Sequence, residues 1–208
     1  MASISITEAL VKLKTLGKRI DSAISSIRPI SMVTGKNSPL GFKTTEEFET
    51  SAKAAFQSAQ SLIQYRQTIK GAIVAANATT NVTIGGKVMT VAQAIERKNS
   101  IQYEKDLLKC LSQNYTMTLS SVVRTEADVQ VRLQKLLEVT FGKDIKTKGD
   151  EVDNISKPFI EANNPRMIDP LNLKNLIESL EKDIDEFEGE VDFRLSEANA
   201  RTMIEVPD

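Results

Sequence analysis

From Phe48 to Ala76, nine side chains fall at alternating spacings of three and four: Phe48, Ala52, Ala55, Ala59, Leu62, Arg66, Ile69, Ile73 and Ala76. Only a helix gathers such a series on one face, because a strand repeats every second residue. A long amphipathic helix is therefore expected, opened by a Thr44/Glu47 capping box. Alanines dominate its first half, so a partner backbone can approach closely there. Arg66 is the one charge inside the stripe. An unpaired guanidinium there costs several kcal/mol, so a carboxylate, a carbonyl or an anionic ligand is expected beside it.

The rest of the chain follows the same logic. Ile6, Ala9, Leu13, Leu16, Ile20, Ala23 and Ile27 form a second stripe, which ends before Pro29 because a residue preceding proline is driven out of the helical region. Residues 29–43 read as loop. "NVTI" and "KVMT" flank Gly85-Gly86, the pattern of a tight β-hairpin, and Thr90 with Gln93 caps a following helix that carries Ala94, Ile101, Leu108 and Tyr115 at heptad spacing. From Thr116 to Arg166 the periodicity is less orderly. A helix is expected from Thr125 to near Gly142, and "KDIKTKGDEVDNISKPFIEANNPR", with Gly149, Pro158 and Pro165, is expected as loop with short helical turns. Asp169-Pro170 reads as the cap and first residue of a last helix with the stripe Leu173, Ile177, Leu180, Ile184, Phe187, Val191, Ala198, and "TMIEV" as a short terminal strand.

The fold expected is mainly α: long amphipathic helices in a helical bundle with one short β-hairpin, completed by homo-oligomerisation. Residues 1–208 form a single helical domain in this reading, with 116–166 as a helical and loop insertion. Narrow stripes bury poorly alone, so the helices of 44–76 and 171–198 are expected to assemble the oligomer. A monomeric four-helix bundle is the alternative.

Composition narrows the chemistry. The 27 basic and 28 acidic residues nearly cancel, which argues against a nucleic acid polymer or an anionic membrane as partner. Histidine is absent, removing the commonest general base and metal ligand. No catalytic constellation, metal site or cofactor motif stands out: "TGKNS" lacks the spacing of a phosphate-binding loop and "GDEVDN" that of a calcium loop. The lone Cys110 beside Leu107, Leu108 and Leu111 is expected as a buried structural thiol. Without a signal peptide or an apolar run of spanning length, a cytoplasmic location is expected, the host cytoplasm for a phage-encoded chain.

"ITEALVKLKTLGKRI", "NATTNVTIGGKVMTVAQAIER" and "LNLKNLIESLEKDIDEFEGEV" resemble the three blocks of the septicolysin-like family, small helical proteins of bacteria and their phages, over roughly half the chain. The resemblance picks out Glu8, Ala9, Leu10, Arg19, Ile20, Asn81, Gly86, Thr90, Ala94 and Arg97. It implies a helical homo-oligomer, a hexamer. Lys98 stands where the family carries an acid, and the segment 116–166 is longer than the family's connection.

The residues around the hairpin form the candidate ligand site. A helix start after Thr90 exposes backbone N–H groups and a positive dipole end, Lys87 precedes it, Arg97 and Lys98 follow, and Asn77, Thr80 and Asn81 offer neutral hydrogen bonds. With Arg66 these residues suit a small anionic, nucleotide-like molecule. The expected function is a non-enzymatic homo-oligomeric binding protein, in a phage setting a sponge that sequesters a host immune signal. The alternative is a phage structural or assembly protein without a small-molecule ligand, in which the hairpin only reverses the chain.

Overall fold

Two strands drawn from opposite ends of the chain tie the first helices together. The structure, a computed structural model, describes residues 1–35, 37–142 and 149–207. In chain order the elements are β1 (Ala2–Ser5), α1 (Ile6–Ser26), α2 (Thr45–Thr79), β2 (Asn81–Ile84), β3 (Lys87–Thr90), α3 (Val91–Phe141), α4 (Gly149–Asn163), α5 (Leu173–Arg201) and β4 (Met203–Val206). The fold is mainly α, with two two-stranded antiparallel sheets, β1–β4 and β2–β3. The chain divides into two compact units: Met1–Asn99 with the chain from Glu186 onward, and Ser100–Asp185.

In the first unit, α1 packs on α2 and the β1–β4 sheet closes the layer. Ile6, Ala9, Leu13 and Leu16 of α1 meet Ile69 and Ile73 of α2 and Ile204 and Val206 of β4 in one buried cluster. β4 is the expected terminal strand; β1, hidden in "ASIS", carries too short a pattern to be seen in advance. The register pairs Ala2 with Val206 and Ser5 with Met203, and Ile6 N–H extends the ladder by donating to Thr202 O at 3.0 Å. Ser5 then caps α1 reciprocally: Glu8 N–H donates to Ser5 Oγ at 3.2 Å and Ser5 N–H to Glu8 Oε2 at 2.9 Å. The Ser5 N–H, together with the Ser5 hydroxyl, which donates to the same Glu8 Oε2 at 3.0 Å, holds the Glu8 carboxyl below its ordinary value of 4.5.

The α2 stripe departs from expectation at Arg66. That side chain is exposed, and Tyr65 fills the step between Leu62 and Ile69. The buried face turns toward Tyr65 because its hydroxyl reaches the end of β4, donating to Pro207 O at 2.9 Å, while Lys12 Nζ lies 5.2 Å from its ring centre. Arg66 therefore needs no buried anion. At the helix start Thr44 accepts from Glu47 N–H at 3.1 Å, but the Glu47 carboxylate takes Lys43 N–H at 2.8 Å, which leaves the box one-sided.

The hairpin turns on Gly85 and Gly86, at φ +54 and +72, the paired left-handed conformations of a type I′ turn. A Cβ on Gly85 would stand 3.3 Å from Glu186 Cβ, and its N–H donates to Glu190 Oε2 at 3.3 Å, so the tip seats on α5. Val82, Ile84, Val91 and Ala94 are buried, as are Phe187, Val191 and Ala198 of α5.

The second unit revises the expected segment 116–166. α3 runs unbroken through it, because Thr116 and Ser120 turn their hydroxyls onto the carbonyls of Ser112 and Thr116, each at 2.8 Å, and need no break in the helix. Of the expected loop, residues 143–148 lie outside the described residues. Residues 149–163 form α4 instead, despite the interior Pro158, with Val152, Ile155, Phe159 and Ile160 half-buried along one side. α5 begins at Leu173, later than Pro170: Asp169 accepts Leu171 N–H at 3.2 Å and Leu173 N–H at 2.7 Å across a turn that Asn172 completes at φ 52. Val129 and Leu133 of α3 and Ile184 of α5 are buried. Cys110 is exposed rather than buried, since the inner face of α3 there passes through Leu108 and Leu111.

Two stability predictions follow from this packing. Ile69 is fully covered within the chain, so Ile69→Ala should lower the unfolding free energy by about 2–5 kcal/mol. Denaturant titration should give the same loss at low and high protein concentration, because the contacts are intramolecular. Because Glu8 is held below its ordinary value in the folded state, its stabilising effect is complete above the unfolded pKa and is lost as pH falls through the folded one. Glu8→Gln should therefore lower the melting temperature at neutral pH and differ less from wild type in acid.

Candidate functional site

The β2–β3 register decides which backbone groups of the hairpin face outward. Asn81 pairs with Thr90, Val82 with Met89, Thr83 with Val88 and Ile84 with Lys87, and Val91 N–H donates to Thr80 O at 2.9 Å one step further on. Bonded and non-bonded pairs alternate along an antiparallel ladder. Val82 and Ile84 thus bond to β3, and Asn81 and Thr83 point their N–H and C=O groups away from it. Among the described residues no sheet strand lies on that side of β2.

A groove of about 260 Å³ runs along this open edge. Thr80, Asn81, Val82 and Thr83 form one wall, and Arg194, Glu197, Ala198, Arg201 and Thr202, at the end of α5, form the other. Glu197 lies between the two cations: its carboxylate is 2.8 Å from Arg201 and 3.5 Å from Arg194. Arg194 also has Glu190 at 3.7 Å. Its buried Nε has no hydrogen-bond partner among the described residues. Arg201 is 78% exposed and keeps most of its guanidinium toward solvent. The lining is therefore two cations, one anion, hydroxyls, an amide and an unused strand edge.

Of the residues expected to bind a ligand, the structure brings Thr80 and Asn81 into this groove. Asn77 sits one turn earlier on α2, where its Oδ1 is buried without a hydrogen-bond partner among the described residues. Lys87 opens β3 beyond the glycine turn and is exposed. Arg97 stacks over the buried Phe187, 4.3 Å from the ring centre, and Lys98 pairs with Asp192. Arg66 is exposed on α2. Neither Lys87, Thr90, Arg97, Lys98 nor Arg66 lines the groove.

The helix end after Thr90 is also less open than its sequence suggests. Thr90 Oγ1 accepts Gln93 N–H at 3.1 Å, Gln93 Oε1 accepts Thr90 N–H at 2.8 Å, and Val91 N–H belongs to Thr80. The cap and hairpin thus take the N–H groups of Thr90, Val91 and Gln93 from any anion there. The groove's cations come instead from "RLSEANAR", where Arg194, Glu197 and Arg201 recur at helical spacing beside the stripe residue Ala198. That spacing is visible in the sequence; its position across from β2 is not.

A second, smaller cleft of about 140 Å³ in the other unit is lined by Asn114, Tyr115 and Thr118 of α3 and by residues 167–171 and Leu173. It carries one charge, Asp169, already used to cap α5. No group of histidine, cysteine and acidic residues among the described residues is placed to hold a metal ion. No helix among them is long and apolar enough to cross a membrane. No family model, curated protein or solved structure matches this chain.

Arg97 lies over Phe187, a contact that contributes to packing. Arg97→Ala should reduce stability by about 0.5–2 kcal/mol, the range of a cation–π contact. Thermal and chemical melts check this.

Proposed function

We propose that this protein is a non-enzymatic binder that holds a small anionic, nucleotide-like molecule in the groove between β2 and the end of α5. The observation that carries the reading is the convergence of Arg194 and Arg201 on the wall facing Thr80, Asn81 and Thr83. A guanidinium pair suits a phosphate, and the hydroxyls and amide suit the sugar and base. Glu197 engages both cations, and an incoming phosphate replaces it as their partner. In a phage setting such a protein acts as a sponge, withdrawing an immune signal from the host cytoplasm without transforming it.

Self-association belongs to the same proposal, as does placement in the septicolysin-like family with its hexameric assembly. Phe56, Val74, Val88 and Phe193 are exposed apolar side chains of the first unit, and they supply surface for contact with further copies. Light scattering of the purified protein tests it. A purely structural role in phage assembly has its own support in α3, where Tyr103, Leu107 and Met117 are exposed along a helix of 51 residues.

The binding reading makes a signed prediction. Arg201→Ala should weaken binding of a nucleotide by about 1.5–3 kcal/mol, the worth of charge-assisted hydrogen bonds. Glu197→Gln should tighten it, because a competing carboxylate is lost. Calorimetric titration with cyclic and linear nucleotides and ADP-ribose-like molecules tests both. Dissociation constants all weaker than about 100 μM, near −5.5 kcal/mol, would leave too little affinity for sequestration and sink the reading.

A further inference from the structure

We infer that the open edge of β2 reads the base of the bound molecule, and that it selects a base carrying an amino group next to a ring nitrogen acceptor. This rests on the groove being the ligand site, and it adds which chemical group the neutral wall recognises. Asn81 and Thr83 both face outward from the hairpin ladder, as the Val91 N–H to Thr80 O bond at the end of the register requires. Asn81 C=O and Thr83 N–H therefore stand side by side on the groove wall, an acceptor followed by a donor. An amidine edge offers the complement: its amino group donates to the carbonyl of Asn81 and its ring nitrogen accepts from the amide of Thr83. Adenine and cytosine both carry that edge. Hypoxanthine and guanine present the reverse order, a carbonyl oxygen beside a ring N–H, and would set acceptor against acceptor and donor against donor.

The other wall completes the fit. Ala198 gives the base an apolar surface beside Val82, and the two arginines flank it along α5. A volume of about 260 Å³ accommodates a base with its near phosphate rather than a long polymer. Because recognition runs through main-chain groups, it leaves little trace in side-chain identity.

The same geometry supplies the test. Thr83 N–H takes no part in the β2–β3 ladder, so proline there removes the outward donor without removing a ladder bond, as edge positions permit. Thr83→Val removes only the hydroxyl. The full-length protein and both variants would be titrated with AMP, CMP, IMP, N6,N6-dimethyl-AMP and ribose 5-phosphate, with circular dichroism confirming the fold. Wild type should bind AMP or CMP roughly 3- to 10-fold more tightly than IMP and dimethyl-AMP, a factor that one neutral hydrogen bond supplies. Thr83→Pro should erase that difference and leave ribose 5-phosphate binding unchanged, while Thr83→Val should keep it. Preference for AMP over CMP, or the reverse, identifies which base the groove takes. Equal binding of every nucleotide and of ribose 5-phosphate overturns base recognition while leaving an anion site intact. Failure of all of them to bind overturns both. If Thr83→Pro does not fold, the wild-type comparison of AMP with its dimethyl derivative, and of CMP and AMP with IMP, decides alone.

Discussion

The hydrogen bond from Ile6 N–H to Thr202 O, with the strand ladder beyond it, is the tie on which the first unit depends. It brings β4 against α2, so that Ile204 and Val206 cover Ile69 and Ile73 and complete a core that α1 and α2 begin. It also fixes the end of α5. Thr202 donates its own N–H to Ala198 O at 2.9 Å and lines the groove, so one residue finishes the helix, starts the sheet and borders the candidate site. The end of α5, which carries Arg194, Glu197 and Arg201, thus leads directly into the strand that closes the hydrophobic core.

The basic side chains beside the hairpin take tertiary neighbours that the sequence alone does not reveal. Arg97 and Lys98 are the most conspicuous cations beside the hairpin in the sequence, yet α5 supplies Phe187 to one and Asp192 to the other. The arginines that line the groove come from the end of that same helix. α5 thus engages cations beside the hairpin with one stretch and presents its own with the next. The glycine turn makes the arrangement possible, since Gly85 allows close approach to Glu186 where a side chain would crowd it.

Much of the fold was legible in the sequence because its signals are local. The α1 stripe, the Gly85-Gly86 hairpin and the Thr90/Gln93 box depend on residues within a few positions of each other, and the structure has each where the pattern puts it. Features set by distant partners were not legible. Tyr65 displaces Arg66 from the buried face because it reaches Pro207; β1 becomes a strand because β4 pairs with it. The less orderly periodicity after Thr116 and the Gly149 and Pro158 of the charged stretch weigh against helix in isolation, yet α3 and α4 form there, where hydroxyls bond back to the preceding turn and one side of α4 packs. Of the groove, Thr80 and Asn81 were legible beforehand, two residues of one wall. The rest needed the hairpin and α5 to be brought together.

The pairing of β1 with β4 has a consequence for how the chain acquires its structure. Strands separated by nearly the whole sequence give contacts of very long range, whose loop-closure entropy must be met before they add stability. As the chain leaves the ribosome, α1 and α2 are made well before β4, whose residues help cover Ile69 and Ile73. The helical hairpin therefore spends its synthesis with an uncovered apolar face, and the first unit locks only when the segment from Met203 to Val206 arrives.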